Sequence, residues 1–404
     1  MRIAWVTPLS RGCGISKYSL AVIPSLASRA DVEVWAPPAA DDYPCPATPL
    51  RKLRVDDATV AALAEYDLVV YNTGNNPAFH TEIHRMSERL PGVVVIHDKR
   101  MHGFFFDLWA VIDRDPSRYA WMMRHYYGDA GEAASEDVLM SRAGVDDRVE
   151  FPLVEPALWN ATGIVAHSAE AARLVSRYGN LVPLISLGLP FDLSTIPDSD
   201  MLPSRAKLLP DDNGRVLLVS SGGVFEQKRL DSVLRALAYR EDLRGHALLA
   251  IVGGGRPEYL ERLRRLVREL ELDDSVILTG YVDDRRMYGW LNAADIAVNL
   301  RYPSMESASL SLIEQLSFGT PVVVSDTSSY SELPSEVAVK IPVDQSEVPT
   351  LAKALSRLVR DANLRTRMGR AAMAFSAEAH SSEAYADRFL SFAEKVVAQG
   401  GVPS

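Results

Sequence analysis

Short apolar runs rich in Val, Ile and Leu recur along the 404 residues and alternate with stretches of helical spacing. In these runs successive residues are apolar, rather than alternate ones. Strands covered on both faces read this way, as in a parallel sheet wrapped by crossover helices. The pattern predicts a first series of strands at 3–7, 32–35, 68–71, 93–97, 163–167 and 182–186. A second series follows at 216–220, 248–252, 276–279, 296–299 and 322–325. Residues 113–151 break into the first series with aromatic and charged side chains and read as inserted helices. Helical spacing is clearest at 259–272, where Leu260, Leu263, Leu266, Val267 and Leu270 make one stripe and Arg262, Arg264, Arg265 and Arg268 a solvated face. A last helix is expected over 381–398, carrying Tyr385, Phe389 and Phe392.

Between the two series, residues 191–214 are rich in Pro, Asp and Ser and have little periodicity, the profile of a linker. The expected layout is therefore α/β, with two Rossmann-like domains in series: 1–190, a linker at 191–214, 215–380, and a C-terminal helix at 381–404 returning to the first domain. Open α/β sheets bind ligands beyond the carboxyl ends of their strands. Two such domains facing each other would share one cleft.

Composition narrows the function. A net charge of −10 argues against nucleic-acid binding, which usually shows a basic excess. Cys13 and Cys45 have neither metal-ligand nor C-x-x-C spacing, so no zinc site or redox pair is expected. No apolar run approaches the length of a membrane span, and Met1 to Thr7 lead straight into a strand rather than a cleavable leader. The expected location is the cytoplasm, with room for peripheral contact at the inner membrane face.

Each candidate for chemistry follows a predicted strand. Glu306 and Glu314 have seven residues between them, and Phe318-Gly319-Thr320-Pro321 closes the segment before the strand at 322. Small residues before Leu310 suit a tight loop opening a helix, whose free N-terminal amides are a natural phosphate site. Gly222, Gly223 and Lys228 form a Gly-rich turn with a cation, in outline a phosphate cradle. Gly12 and Gly14 lie in the loop after the first strand, where glycines let backbone approach a ligand. His97 and Asp98 end another strand, with Lys99 and His102 close behind. Gly253 to Gly255, and Gly280 followed by Tyr281, end two more. Asp113 with Asp115, and Asp198 with Asp200, show a D-x-D spacing in polar loops and are set aside as metal ligands.

Taken with their flanking strand, helix and G-T-P, these segments resemble retaining glycosyltransferase family four, which has the GT-B fold. The resemblance spans most of the chain, is strongest between Val216 and Pro334, and thins before Gly163. It implies that Glu306 contacts the hydroxyls of the donor sugar, that Glu314 holds the ribose, and that the amides of Ser309 and Leu310 bind the diphosphate. Lys228 would neutralise the leaving diphosphate, His97 would lie near the donor sugar, and Gly253 and Tyr281 would flank the nucleotide. The chain departs from the commonest pattern in having Ser307 and Ser309 where Gly is usual and Ser311 in place of Pro. Gly223 stands where the family has Arg, leaving that charge to Arg229 or Arg301.

The implied partners are a nucleotide-diphosphate-sugar donor and a small-molecule, glycan or lipid-linked acceptor, with no metal or other cofactor. An epimerase or phosphorylase on the same fold, or a non-catalytic nucleotide-sugar-binding module, remain as alternatives. An epimerase would turn over without acceptor, a phosphorylase would need inorganic phosphate, and a binding module would not turn over.

Overall fold

The computed structural model describes residues 1–10, 13–38, 48–142, 144, 150–177, 182–191, 193, 196, 202–210 and 212–400. It divides into two compact units: Met1–Pro190 with Met305–Ala308 and Ser382–Ser404, and Phe191–Ser304 with Ser309–Ser381.

The sheet of the first unit contains β1 (Arg2–Val6), β2 (Asp31–Ala36), β3 (Leu50–Lys52), β4 (Leu68–Thr73), β5 (Gly92–Ile96), β6 (Ala161–Ala166) and β7 (Leu184–Ser186). All pairings are parallel, in the order β3-β2-β1-β4-β5-β6-β7. The sheet of the second unit contains β8 (Val216–Ser221), β9 (Ala247–Val252), β10 (Val276–Gly280), β11 (Ile296–Asn299), β12 (Val322–Ser325) and β13 (Ala338–Ile341). These are again parallel, in the order β10-β9-β8-β11-β12-β13. Both are doubly wound sheets, and each reverses its strand order once, between β1 and β4 and between β8 and β11.

The eleven expected strands are present within one or two residues of their expected ends. The two extra strands lie at sheet edges. Leu50, Arg51 and Lys52 are all exposed, and β13 reads Ala-Val-Lys-Ile with its middle half-buried. Edge strands carry polar residues where central strands cannot, so the apolar signal fades there.

In the first unit the inserted helices begin at His102, before the expected 113. Phe104, Phe105, Trp109, Tyr119, Met122 and Met123 bury their face, including that of Pro116–Leu139, against β5 and β6. Trp121 points outward. Asp115 caps Pro116–Leu139 by accepting from the Arg118 amide, and Asp113 pairs with Arg85 at 2.5 Å. Both carboxylates therefore have structural partners; Asp198 and Asp200 lie outside the described residues. The helix Ser382–Gly400 buries Tyr385, Phe389 and Phe392. Phe389 meets Trp5 edge-on at 5.6 Å, and the Tyr385 and Tyr18 hydroxyls share a hydrogen bond.

In the second unit, the helix Pro257–Glu269 buries Tyr259, Leu263 and Val267, while Arg262, Arg264, Arg265 and Arg268 face solvent. Within 191–214, Ile196 and Leu209 are buried beside Leu217 and Val219, and Arg205 bridges Asp212 and Asp295 at 2.6 and 2.7 Å. Among the described residues, no helix is long and apolar enough to cross a membrane.

Candidate functional site

In the second unit, loops after four strands converge. Gly222 adopts φ +88°, and a Cβ there would lie 3.4 Å from the Lys228 amino group and 3.7 Å from the Ser311 side chain. The Gly-rich turn, the lysine and the first turn of the helix Leu310–Ser317 thus meet at one point. Hydrogen bonds among buried side chains hold that helix in place. The Asn299 amide, at the end of β11, donates to Ser311 Oγ at 3.1 Å and to Gln315 Oε1 at 2.9 Å. The Gln315 amide in turn donates to Ser221 Oγ, at the end of β8, at 2.9 Å. Ser309 is the N-cap residue, but its side chain makes no capping bond. The first-turn amides therefore keep the open positive end that favours an anion.

Lys228 is buried and donates to the Ser221 carbonyl. Its amino group lies 5.7 Å from the centre of the Phe225 ring, and the Arg301 guanidinium lies 4.7 Å from the same ring. Arg229 is committed elsewhere, to Glu347 through bonds of 2.8 and 2.7 Å. Of the two arginines considered for the missing charge, Arg301 is the one that shares the Phe225 ring with Lys228; Arg229 serves an ion pair. Glu314 is buried, with the Tyr288 hydroxyl 3.5 Å from Oε1.

Gly253 has a tighter constraint than phosphate approach. At φ +147°, its Cβ would lie 2.1 Å from the Gly222 carbonyl oxygen. The two glycine loops are zipped together, Gly222 N–H donating to Val252 O at 3.0 Å and Val224 N–H to Gly254 O at 2.8 Å. Gly253→Ala should therefore cost about 1–3 kcal/mol, read as a lower urea midpoint for the second unit. An unchanged midpoint would show that the loops do not need this contact. Beside Gly254 stands Tyr281, 82% exposed, its ring face open to solvent.

The first unit gathers polar groups at the ends of β1, β4, β5 and β6. Asn72 donates from Nδ2 to the Val6 carbonyl at 3.0 Å, across the point where the strand order reverses. Its Oδ1 lies 3.2 Å from His97 Nε2. His97 Nδ1 lies 3.2 Å from His167 Nε2, and His167 Nδ1 lies 3.1 Å from the Leu187 carbonyl. Carbonyl acceptors end this chain on both sides, so its four contacts call for four hydrogens. The neutral side chains can place only three on them, the second Asn72 amide hydrogen lying off the chain. Burial, with His167 and His80 nearby, holds His97 well below the usual histidine range, so the fourth proton is disfavoured.

The chain segment that carries Glu306 docks on this cluster. Lys99 N–H donates to Met305 O at 3.0 Å, and Ser307 N–H to His97 O at 2.7 Å. Asp98 and Glu306 form an antiparallel bridge. Ser307 Oγ accepts from His167 N–H at 2.8 Å, and Ser168 Oγ donates to Ser307 O at 2.7 Å. Ser307, where the family pattern has Gly, thus uses its hydroxyl as an anchor. Asp98 accepts from the Asn75 amide at 2.8 Å, and burial together with the Glu306 charge pushes its carboxyl up to about 7. Lys99 is fully buried and pairs with Glu170. Gly14 opens the helix Gly14–Ala27 after β1; Gly12 lies outside the described residues.

By contact, then, His97 and Glu306 belong to the first unit, while Gly222, Gly223, Lys228, Gly253, Tyr281, Ser309, Leu310 and Glu314 belong to the second. Asn72, His167 and Ser168 in the first unit, and Phe225, Tyr288, Asn299 and Gln315 in the second, were not among the expected site residues. Asn72 carried one signal, a polar residue closing an otherwise apolar strand.

Residues 203–375 match the family model for glycosyl transferases group 1. D-inositol 3-phosphate glycosyltransferase of Pseudarthrobacter chlorophenolicus is 32% identical over 214 residues, 51% of this chain and 49% of that protein. Alpha-monoglucosyldiacylglycerol synthase of Streptococcus pneumoniae is 28% identical over 176 residues, 42% of this chain and 39% of that protein. The chain spans about half the length or less of these curated relatives. In fold it is similar to Anabaena HepE, solved with UDP and glucose, with a TM-score of 0.66 and 15% identity over 98% of this chain and 100% of that one. Residues 203–375 are thus similar to glycosyl transferases group 1, and the chain has the GT-B fold.

Proposed function

We propose that the chain is a retaining glycosyltransferase that moves a sugar from a nucleotide diphosphate to an acceptor hydroxyl without a bound metal. The observation that carries this reading is the convergence of Gly222, Lys228 and the open N-terminus of the helix Leu310–Ser317, within the segment that matches the family. The bond from the anomeric carbon to the diphosphate oxygen breaks as the acceptor oxygen bonds to that carbon. The sugar passes through a positively charged transition state while negative charge gathers on the leaving diphosphate. Amides of Ser309 and Leu310, with Lys228 and Arg301, stabilise that charge, the role a metal has elsewhere. The leaving diphosphate takes the acceptor's proton on the face it vacates, and configuration is retained.

Glu314 holds the ribose and Tyr281 flanks the base. Glu306 takes the sugar hydroxyls, and His97 acts as a positioning residue, its carbonyl holding Ser307 beside Glu306. The names of the relatives support an acceptor with free hydroxyls, such as an inositol phosphate or a glycolipid. UDP in the HepE structure supports a nucleotide-diphosphate donor.

The test is a thermal-shift screen against UDP, GDP, ADP, TDP and CDP and their common sugars, on the wild type and on Glu314→Ala. One base should stabilise the wild type, by about 2.7 kcal/mol at a hundredfold excess over its Kd, and the variant should lose that shift. No shift with any nucleotide at millimolar concentration would overturn the proposal.

A further inference from the structure

A cavity in the second unit lies away from the loops that carry Gly222, Gly253 and Leu310. Its volume is ≈ 500 Å³, in the ordinary range for small-molecule pockets. It is walled by β13 and by the helices Glu347–Arg360 and Ala362–Ala379. The first of these helices follows β13 and runs back antiparallel to it, so the residues of its second half lie toward the amino ends of the strands. The loops described above follow the carboxyl ends, so this cavity opens at the other end of the sheet.

Its floor is apolar, made by Val339, Leu358, Leu364 and Met368. Three cations line it: Lys353 and Arg357, four residues apart on one helix face, and Arg367 on the next helix. Like charges at that spacing repel weakly, and an anion placed between them removes the repulsion. Two neighbouring arginines are engaged: Arg360 with Asp242 at 2.8 Å, and Arg365 with the Leu358 and Val359 carbonyls at 2.7 and 2.9 Å. Among the described residues, the exposed side chains of Lys353, Arg357 and Arg367 make no ion pair or hydrogen bond. Arg357 also lies in the last helical turn, where the helix dipole favours a cation; Lys353, a turn earlier, gains less from it. One carboxylate reaches the rim, Glu336, which accepts from Ser335 Oγ at 3.3 Å. The cavity is thus cationic in a chain whose net charge is −10.

We propose that this cavity binds a single-chain anionic amphiphile, an acyl or isoprenoid chain with a phosphate or carboxylate head. The head lies between Lys353, Arg357 and Arg367, and the chain covers Val339, Leu358, Leu364 and Met368. An apolar floor alone would take a neutral ligand and three cations alone a bare anion; their combination selects a molecule with both parts.

The experiment is isothermal titration of the full chain with dodecyl phosphate below its micelle concentration. Inorganic phosphate and 1-dodecanol are titrated alongside. Dodecyl phosphate should bind saturably at one site, at least tenfold more tightly than either fragment. Lys353→Glu/Arg367→Glu should weaken it at least tenfold while keeping the wild-type circular dichroism melt. If that variant melts early, Lys353→Gln/Arg367→Gln takes its place. Inorganic phosphate binding as tightly as dodecyl phosphate would reduce the cavity to a bare anion site and overturn the proposal. Non-saturable uptake, or binding that neither variant weakens, would overturn it as well.

Discussion

Lys228→Met should lower kcat and kcat/KM together by about 10²–10³-fold, the effect of removing one preorganised donor from a developing anion. The amino group is held by the Ser221 carbonyl, adjoins Gly222, and lies within 5.7 Å of the Phe225 ring centre, so its position is fixed before any ligand arrives. Methionine keeps most of the buried stem and removes only the charge and the donor. The Ser221 carbonyl then loses a partner, and the melting temperature should fall modestly, since an unsatisfied buried acceptor costs about 1–3 kcal/mol. The two effects separate by readout. A purely structural lysine would lower the melt and leave kcat per folded molecule unchanged, and that result would remove Lys228 from the proposed chemistry. A rise in KM alone would assign it to ground-state binding.

Asp98→Asn should stabilise the protein at alkaline pH and do little in acid. Burial and the neighbouring Glu306 charge raise the folded carboxyl to about 7, against an ordinary value near 3.8. Between these values the folded state keeps a proton that the unfolded state has released. Wild-type stability from this group is therefore full below about pH 4 and is lost as pH rises through about 7. The full loss amounts to about 4 kcal/mol as an upper bound. Asparagine still accepts from the Asn75 amide and carries no charge, so it escapes the loss. Buried His80, held down at about 4, and His84, at about 3, work in the opposite sense, since the folded state resists their protonation and stability drains as pH falls below about 6.5. Urea midpoints at pH 5 and pH 8 for wild type and variant test the point. The variant's advantage should be about two to three times larger at pH 8; an equal advantage at both would mean that Asp98 does not change charge in this range.

Much of the architecture could be read from the chain because central strands of a doubly wound sheet have little freedom in composition. Val93, Val94, Val95 and Ile96 are apolar on both faces because both faces are covered. That reasoning fails at edges, where Leu50 to Lys52 carry two cations in three residues. The site was legible where a local motif makes it. Gly222, Lys228 and Leu310 follow strands by short loops, and their meeting is a consequence of the sheet order. Partners remote in sequence were hidden. Nothing in the run from Met305 to Ala308 announces that Ser307 will anchor to His97 and His167, the latter 140 residues upstream. Likewise Arg229 and Arg301 look alike as candidates until Glu347 is seen to claim the first.

The first unit is assembled from three separated stretches of chain, Met1–Pro190, Met305–Ala308 and Ser382–Ser404. Ribosomes deliver these pieces in order, so the first sheet emerges long before the segment that satisfies His97 O and Ser168 Oγ, and earlier still than Phe389, which covers Trp5. During that interval Trp5 and Tyr18 lack the aromatic cover of Ser382–Gly400, an exposed surface of the kind chaperones recognise. The second unit needs nothing beyond Ser381 and can close first. Maturation of this chain therefore runs against the order of its synthesis: the half made first is the half finished last.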